Sequence, residues 1–299
     1  MRVWYSDPYE VPLPEGHRFP MGKYRRVRER LLELGVLSPE HCALAEAVSE
    51  HDLLRVHTPG YVRACFDGTL DEAAQRRIGF PWSKALLVRS LASAGGTLAA
   101  ARWALDHGAS GNLAGGTHHA HADFGSGYCV FNDLAVTAAA LLDEGRVERV
   151  LVVDLDVHQG DGTAAIFHAE PRVFTFSMHG AKNFPFRKQT STRDVELPDG
   201  CDDARYLDLL DEHLPQVFEA SAPSVVLYQA GVDALKEDTL GRLHLTHAGL
   251  RERDRRVFDL CWSRAVPVVV TLGGGYAKPI EATIEACVGT YAELRRRFG

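Results

Sequence analysis

The amino-acid sequence predicts an α/β fold in three layers, with a central, mostly parallel sheet covered by helices on both faces. Three observations carry the prediction. Short β-branched runs alternate along the chain with longer helical patterns. Those runs are continuously apolar, as strands buried on both faces must be. Each run also gives way at its C-terminal end to a cluster of polar residues and glycines. Residues 1–299 are expected to form one domain, because no Pro/Gly/Ser-rich linker, low-complexity run or repeat interrupts them.

Taken in order, Met1 to Ser6 reads as a short strand and not a signal peptide. Pro8 to Pro20 reads as an ordered loop, and the basic runs Lys23–Arg28 and Arg295–Arg297 as solvated helix faces. Trp82 to His107, rich in Ala and Leu, predicts a long helix, followed by an element at Asn112–Gly116 that ends in Thr117-His118-His119. A second helix is expected over Asp133–Glu144 and a buried strand over Val150–Val153, leading into Asp154-Leu155-Asp156-Val157-His158-Gln159-Gly160-Asp161. The strand Val173–Phe176 leads into Ser177-Met178-His179. After a helix over Asp203–Ala220, the strand Ser224–Tyr228 leads into Gln229-Ala230-Gly231-Val232-Asp233. The run Val266–Leu272 leads into Gly273-Gly274-Gly275-Tyr276. Ligands of open parallel sheets bind beyond the carboxyl ends of the strands, so five polar segments converge on one edge.

Composition narrows the function classes. A net charge of −7 gives no basic footprint for nucleic acid or an anionic membrane. No apolar stretch approaches the ~20 residues that span a bilayer. The six cysteines are scattered without a Cys-x-x-Cys pair, which is expected of reduced thiols in a cytoplasm.

The chemistry lies in the polar clusters. Asp154, Asp156 and His158 alternate with Leu155 and Val157, so a period of two aims the three polar side chains one way and the apolar pair into the core. Carboxylate oxygen and imidazole nitrogen suit a divalent ion such as zinc, and Asp233 supplies a third ligand from another strand. Three protein ligands leave a position open, as catalytic sites do; the alternative is an exposed loop with helix-capping aspartates. The adjacent His118 and His119 can act as general base and electrostatic partner, with Asp154 and Asp161 to orient them. Equally, one of the two can be a ligand and the other a loop residue. Gly273-Gly274-Gly275 forms a flexible, sterically open turn that presents Tyr276, whose hydroxyl can donate to an oxyanion or merely pack.

Together these segments resemble the histone deacetylase family, which includes bacterial acetoin-utilisation proteins and acetylpolyamine amidohydrolases. The matching stretches are Gly115–Ala120, Tyr128–Asp133, Asp154–Gly162, Gln229–Asp233 and Gly273–Tyr276, in the family's order over roughly 110–280. His17–Met21, Phe80–Ser83 and Leu240–Leu243 are similar in tone to the class IV branch and its bacterial relatives, while the N-terminal loop lacks the family's His-Pro-Glu-Arg-like run. The resemblance implies that Asp156, His158 and Asp233 hold zinc or iron(II). It makes His119 the general base backed by Asp161, His118 with Asp154 its electrostatic support, and Tyr276 the group that polarises the scissile carbonyl. Gly127 and Tyr128 take the place of a Gly-Phe wall of the acyl tunnel, with Phe184 opposite. The carbonyls of Asp154, Asp156 and His158, with Ser177 and Met178, resemble the family's structural potassium site. Leu240 stands where acetylpolyamine-selective relatives carry an acid, which points to an acylated protein lysine before a small acylated amine.

Two rivals remain distinct. A binuclear ureohydrolase shares the fold in this sense but needs further carboxylates, and Gly160 and Ala234-Leu235 occupy those places. A non-catalytic acyl-ligand sensor would retain the pocket with a broken site. Oligomeric state has no signature in the sequence.

Overall fold

The computed structural model describes residues 1–299. The chain runs β1 (Arg2–Tyr5), α1 (Lys23–Glu33), β2 (Cys42–Leu44), α2 (Glu50–Leu53), α3 (Pro59–Asp67), α4 (Glu72–Ile78), α5 (Lys84–His107) and β3 (Ala109–Asn112). It continues through α6 (Asp133–Asp143), β4 (Val150–Asp154), α7 (Asp161–Ile166), β5 (Val173–Gly180), β6 (Arg193–Leu197), α8 (Asp203–Ser221) and β7 (Val225–Gln229). The last elements are α9 (His247–Ser263), β8 (Val268–Thr271) and α10 (Glu281–Phe298). The eight strands form one sheet in the order β2-β1-β3-β8-β7-β4-β5-β6. Every pairing in it is parallel.

Period-two geometry divides each central strand between two cores. Leu151 and Val153 of β4, with Val226 and Tyr228 of β7, pack under α1, α8, α9 and α10. Val150 and Val152, with Val225 and Leu227, pack under α5 and α6. That is why the strands read as unbroken apolar runs, and it makes the three layers expected from the sequence. Side-chain oxygens start the major helices: Ser83 accepts from Leu86 N, Asn132 from Ala135 N and Asp202 from Arg205 N.

The topology locates the site. From β4 the chain moves outward to β5 and β6, then returns through α8 to β7 on the other side of β4. Crossovers on opposite sides leave a crevice beyond the ends of β4 and β7. The loop after β4 carries Asp156 and His158, and the loop after β7 carries Asp233. Behind them, the fully buried Arg253 of α9 donates to the carbonyls of Leu155 (3.1 Å), Gly231 (2.6 Å) and Ala230 (3.4 Å). Its charge is met by Asp254, which also accepts from Tyr228 and Thr290.

Candidate metal centre and active site

A cavity of about 410 Å³ opens at this edge. Its lining includes His118, His119, Gly127, Tyr128, Asp156, His158, Phe184, Asp233, Leu240 and Tyr276. The sequence-predicted ligands, histidines, tyrosine and tunnel walls therefore share one space. Asp154 and Asp161 stand directly behind it, each accepting from a histidine Nδ1: His118 to Asp154 at 2.7 Å and His119 to Asp161 at 2.6 Å. Both imidazoles are thereby fixed with Nε2 away from the carboxylate.

The candidate ligands converge from two neighbouring loops. One ligand atom each of Asp156, His158 and Asp233 lies within 4.8 Å of the others, and all three residues are buried. His158 Nδ1 is 3.0 Å from Asp156 Oδ1 and 3.1 Å from Asp233 Oδ2. Backbone amides brace the carboxylates: Val157 N donates to Asp233 Oδ1 (2.9 Å) and Gly274 N to Asp156 Oδ2 (2.8 Å). Glycine is required where other loops pass. A Cβ at Gly231 would lie 2.0 Å from Asp156 Oδ2, and one at Gly274 would lie 1.8 Å from Asp233 Oδ2.

Electrostatics separates the two adjacent histidines. Burial pulls His118 down, but Asp154 and Asp156 outweigh it and hold it at about 9. Burial, reinforced by His118, lowers His119 to about 4 against the pull of Asp161. His119 is thus a neutral acceptor at pH 7 beside a positive neighbour. Burial also opposes a charge on His158, yet Asp233 and Asp156 raise it to about 10. Burial and Asp156 raise Asp233 to about 7. The centre thus gathers positive charge between two carboxylates. With two carboxylates, one imidazole and room for a further ligand, this donor set fits a small divalent cation.

Tyr276 closes the opposite side. Burial holds its phenol well above the ordinary value, so the hydroxyl stays a donor. Phe184 stands edge-on to His119 with ring centroids 4.9 Å apart, and Tyr128 lies 6.0 Å from Tyr276. Tyr128 adopts a φ of 66°, a left-handed conformation uncommon for a bulky side chain, held by Tyr128 N donating to Ile78 O. Ser177 and Met178 lie buried on β5, with Ser177 opposite Asp154 in the ladder. Ser177 Oγ pairs with His179 Nδ1 at 2.9 Å, behind the cavity and not in its wall.

Two expectations need correction. Lys23–Arg28 is not simply a solvated face: Lys23 is 2% exposed. Its Nζ donates to the carbonyls of Gly273 (3.2 Å) and Gly275 (3.4 Å) and sits 5.2 Å from the Tyr276 ring centroid. The Gly273–Gly275 turn is not sterically open either, being packed against Lys23, Asp156 and Asp233. The loop glycines serve close approach, which a sequence pattern does not separate from flexibility.

Sequence reasoning also passed over Asp133 and Asp238. Asp133 accepts from Gly116 N, Thr117 N and the hydroxyls of Thr97 and Thr117, which shapes the turn into His118. Asp238 accepts from Tyr276 N at 2.6 Å with one oxygen and from Leu240 N and Gly241 N with the other. The signal for Asp133 was its place in an Asn-Asp pair at a helix start; for Asp238 there was none.

Comparison with known proteins identifies relatives of the whole chain. Residues 17–291 match the family model described as the histone deacetylase domain. An uncharacterized protein of Picosynechococcus sp. is 48% identical over 278 residues, covering 93% of each chain. Histone deacetylase 2 of Arabidopsis thaliana is 30% identical over 92% of this chain and 74% of its own. The acetoin utilization protein AcuC of Staphylococcus aureus is 29% identical over 91% of this chain and 75% of its own. In fold, the chain is similar to the crystal structure of a histone deacetylase homologue from Aquifex aeolicus, with a TM-score of 0.85 at 24% identity. That match covers 99% of this chain and 84% of the other.

Proposed function

Because the chain belongs to the histone deacetylase family, we propose that it is a metal-dependent deacylase. In this reading residues 1–299 act as one catalytic domain that hydrolyses the amide of an acylated amine, foremost acyl-lysine. The observation that carries this is His119, backed by Asp161 at 2.6 Å, facing the same cavity as the buried Asp156, His158 and Asp233. Zinc or iron(II) held by those three residues would supply Lewis-acid polarisation of the carbonyl and a water of lowered pKa.

The chain's own residues do the rest. The acyl amide enters between Tyr128 and Phe184, which exclude solvent from the scissile bond. His119 Nε2 takes the proton of the attacking water as the new C–O bond forms. The Tyr276 hydroxyl donates to the developing oxyanion, and the positive His118 supports that charge from beside His119. When the C–N bond breaks, His119 passes its proton to the departing amine, leaving a carboxylate and a free amine. Ser177 and Met178, with the carbonyls of Asp154, Asp156 and His158, are the proposed place of a structural potassium ion, buried behind the ligand loop.

Leu240 at the cavity wall supports acyl-lysine over acetylpolyamine or another small amide, since a carboxylate there would attract a polyamine. The filled catalytic set speaks against a pure acyl-ligand sensor. The test is turnover of acetyl-, trifluoroacetyl- and long-chain acyl-lysine peptides and acetylpolyamine, with metal content quantified and chelated and His119→Ala samples alongside. Metal-dependent turnover lost in the variant is expected. No turnover on any amide by protein holding one ion per chain would favour the sensor.

A further inference from the structure

The mouth of the cavity has a sign. A second pocket, of about 520 Å³, adjoins the first and shares Leu240 and Tyr276 with it. The cavity is lined by Arg76, Arg77, Lys182 and Arg242, and the second pocket by Arg18 and Lys278. All six side chains are exposed. The only carboxylates lining either space are Asp156 and Asp233, buried at the floor.

Nearby acids cover only part of this charge. Arg76 pairs with Glu72 at 3.1 Å, and Lys182 and Arg242 share Asp199 at 3.7 and 3.3 Å. Glu237, next to this rim, faces Lys236 at 3.8 Å. Arg18, Arg77 and Lys278 meet no carboxylate; Arg77 instead lies 4.7 Å over the Phe124 ring. A positive rim on a chain of net charge −7 is a local departure from the overall field. Phe186, 83% exposed, stands on the same rim and offers an apolar platform beside the charges.

Resting on the deacylase reading, we propose that the rim selects amides whose amine side carries negative charge: acyl-lysine with acidic residues within a few positions of it. Each exposed cation alone contributes little. Cations of one sign around a concave mouth instead raise the local concentration of anions and their rate of encounter. The same field repels polyamines, which bring cations to the rim. The extended peptide reaches the outer arginines, while its acyl group enters the tunnel.

The test compares kcat/KM of the metal-loaded enzyme on three acetyl-lysine peptides that carry Glu, Gln or Lys at the flanking positions. The expected order is Glu, Gln, Lys, with about tenfold between the extremes at low salt. The span shrinks to about twofold near 0.5 M salt, where charges are screened within a few ångströms. Arg77→Glu narrows the span. Arg264→Glu, the same charge change just before β8 and so at the opposite end of the strands from the cavity, leaves it. Free Nε-acetyl-lysine, with and without its α-carboxylate, separates a small anion from a peptide as the source of charge. Equal kcat/KM for the Glu and Lys peptides, a salt-independent ranking, or acetylpolyamine as the fastest substrate would overturn the proposal. Anisotropy of labelled peptides on His119→Ala reads the rim without turnover. Tighter binding of the Glu peptide there supports the rim even if hydrolysis fails, and equal binding of all three overturns it.

Discussion

Replacing Gly274 by alanine tests the candidate metal centre through one methyl group. Gly274 lies outside the left-handed region, so the backbone itself accepts alanine. The new Cβ would lie 1.8 Å from Asp233 Oδ2 and 2.9 Å from Asp156 Oδ2. Carbon and oxygen in van der Waals contact need about 3.3 Å, so the Asp233 oxygen has to yield by about 1.5 Å. Metal sites hold their ligand distances to within about 0.2 Å. Moving the turn instead of the carboxylate does not help, because Gly274 N donates to Asp156 Oδ2 at 2.8 Å and would drag the second ligand. Disturbing groups that merely orient ligands already costs about 10–100-fold in metal affinity, and this change displaces a ligand itself, so about 100-fold or more is expected. Metal content after gel filtration, chelator competition and turnover on acetyl-lysine peptide measure the effect. Thermal unfolding controls for the fold, with Gly289→Ala in α10 beside it, where the added methyl meets only a flexible Arg251 side chain at 3.2 Å. Full metal occupancy with unchanged affinity and turnover would refute the assignment of Asp233 as a ligand.

Other expectations are simpler to state. Tyr276→Phe should retain the metal yet lose about 10²–10³ in kcat, and near-normal turnover would remove the tyrosine from the mechanism. Arg253→Met leaves the buried Asp254 without its cation and three carbonyls without a donor, so urea unfolding should show a loss of about 3–5 kcal/mol. Adding Asp254→Asn should restore part of it, and a loss in the single variant below about 1 kcal/mol counts against a structural role. Burial lowers His57 to about 4, its Nε2 accepting from Asn132 N. The unfolded chain then binds more protons as pH falls, so stability is complete above about 6.5 and declines between there and about 4. His57→Gln should flatten, without abolishing, the fall in stability between pH 7 and pH 5 followed by urea unfolding. An unchanged slope means that another buried group carries it.

The central strands and the ends that bear the candidate ligands were legible because burial on both faces writes itself into composition. Val150–Val153 and Val225–Tyr228 are apolar without alternation, and the polar residues begin where each strand ends behind the cavity. The helix over Trp82–His107 differs from the observed one only at its start, where Ser83 caps the first turn. Edge and N-terminal elements were less legible. Cys42–Leu44 is a three-residue strand held by its neighbour β1, and Arg193–Leu197 alternates with charge on an edge. Within the site, the convergence of His118, His119, Asp156, His158, Asp233 and Tyr276 followed from their places at strand ends. Lys23 did not, because a basic residue in a run of basic residues gives no sign that it turns inward. Asp238 likewise acts through the backbone of Tyr276, 38 positions away, a relation no local pattern encodes.

The bonds from Lys23 to Gly273 and Gly275 span 250 and 252 positions. A chain emerging from the ribosome cannot make them until nearly all of it has been synthesised. At about 5–20 residues per second, that delay is on the order of 10–50 s. Asp156 and His158 emerge long before Asp233, and Gly274, which braces Asp156, later still. For the 75 positions between His158 and Asp233 the nascent protein carries two of the three proposed ligands and not the third. Under the proposed mechanism the centre is complete only when the two ends of the chain have met.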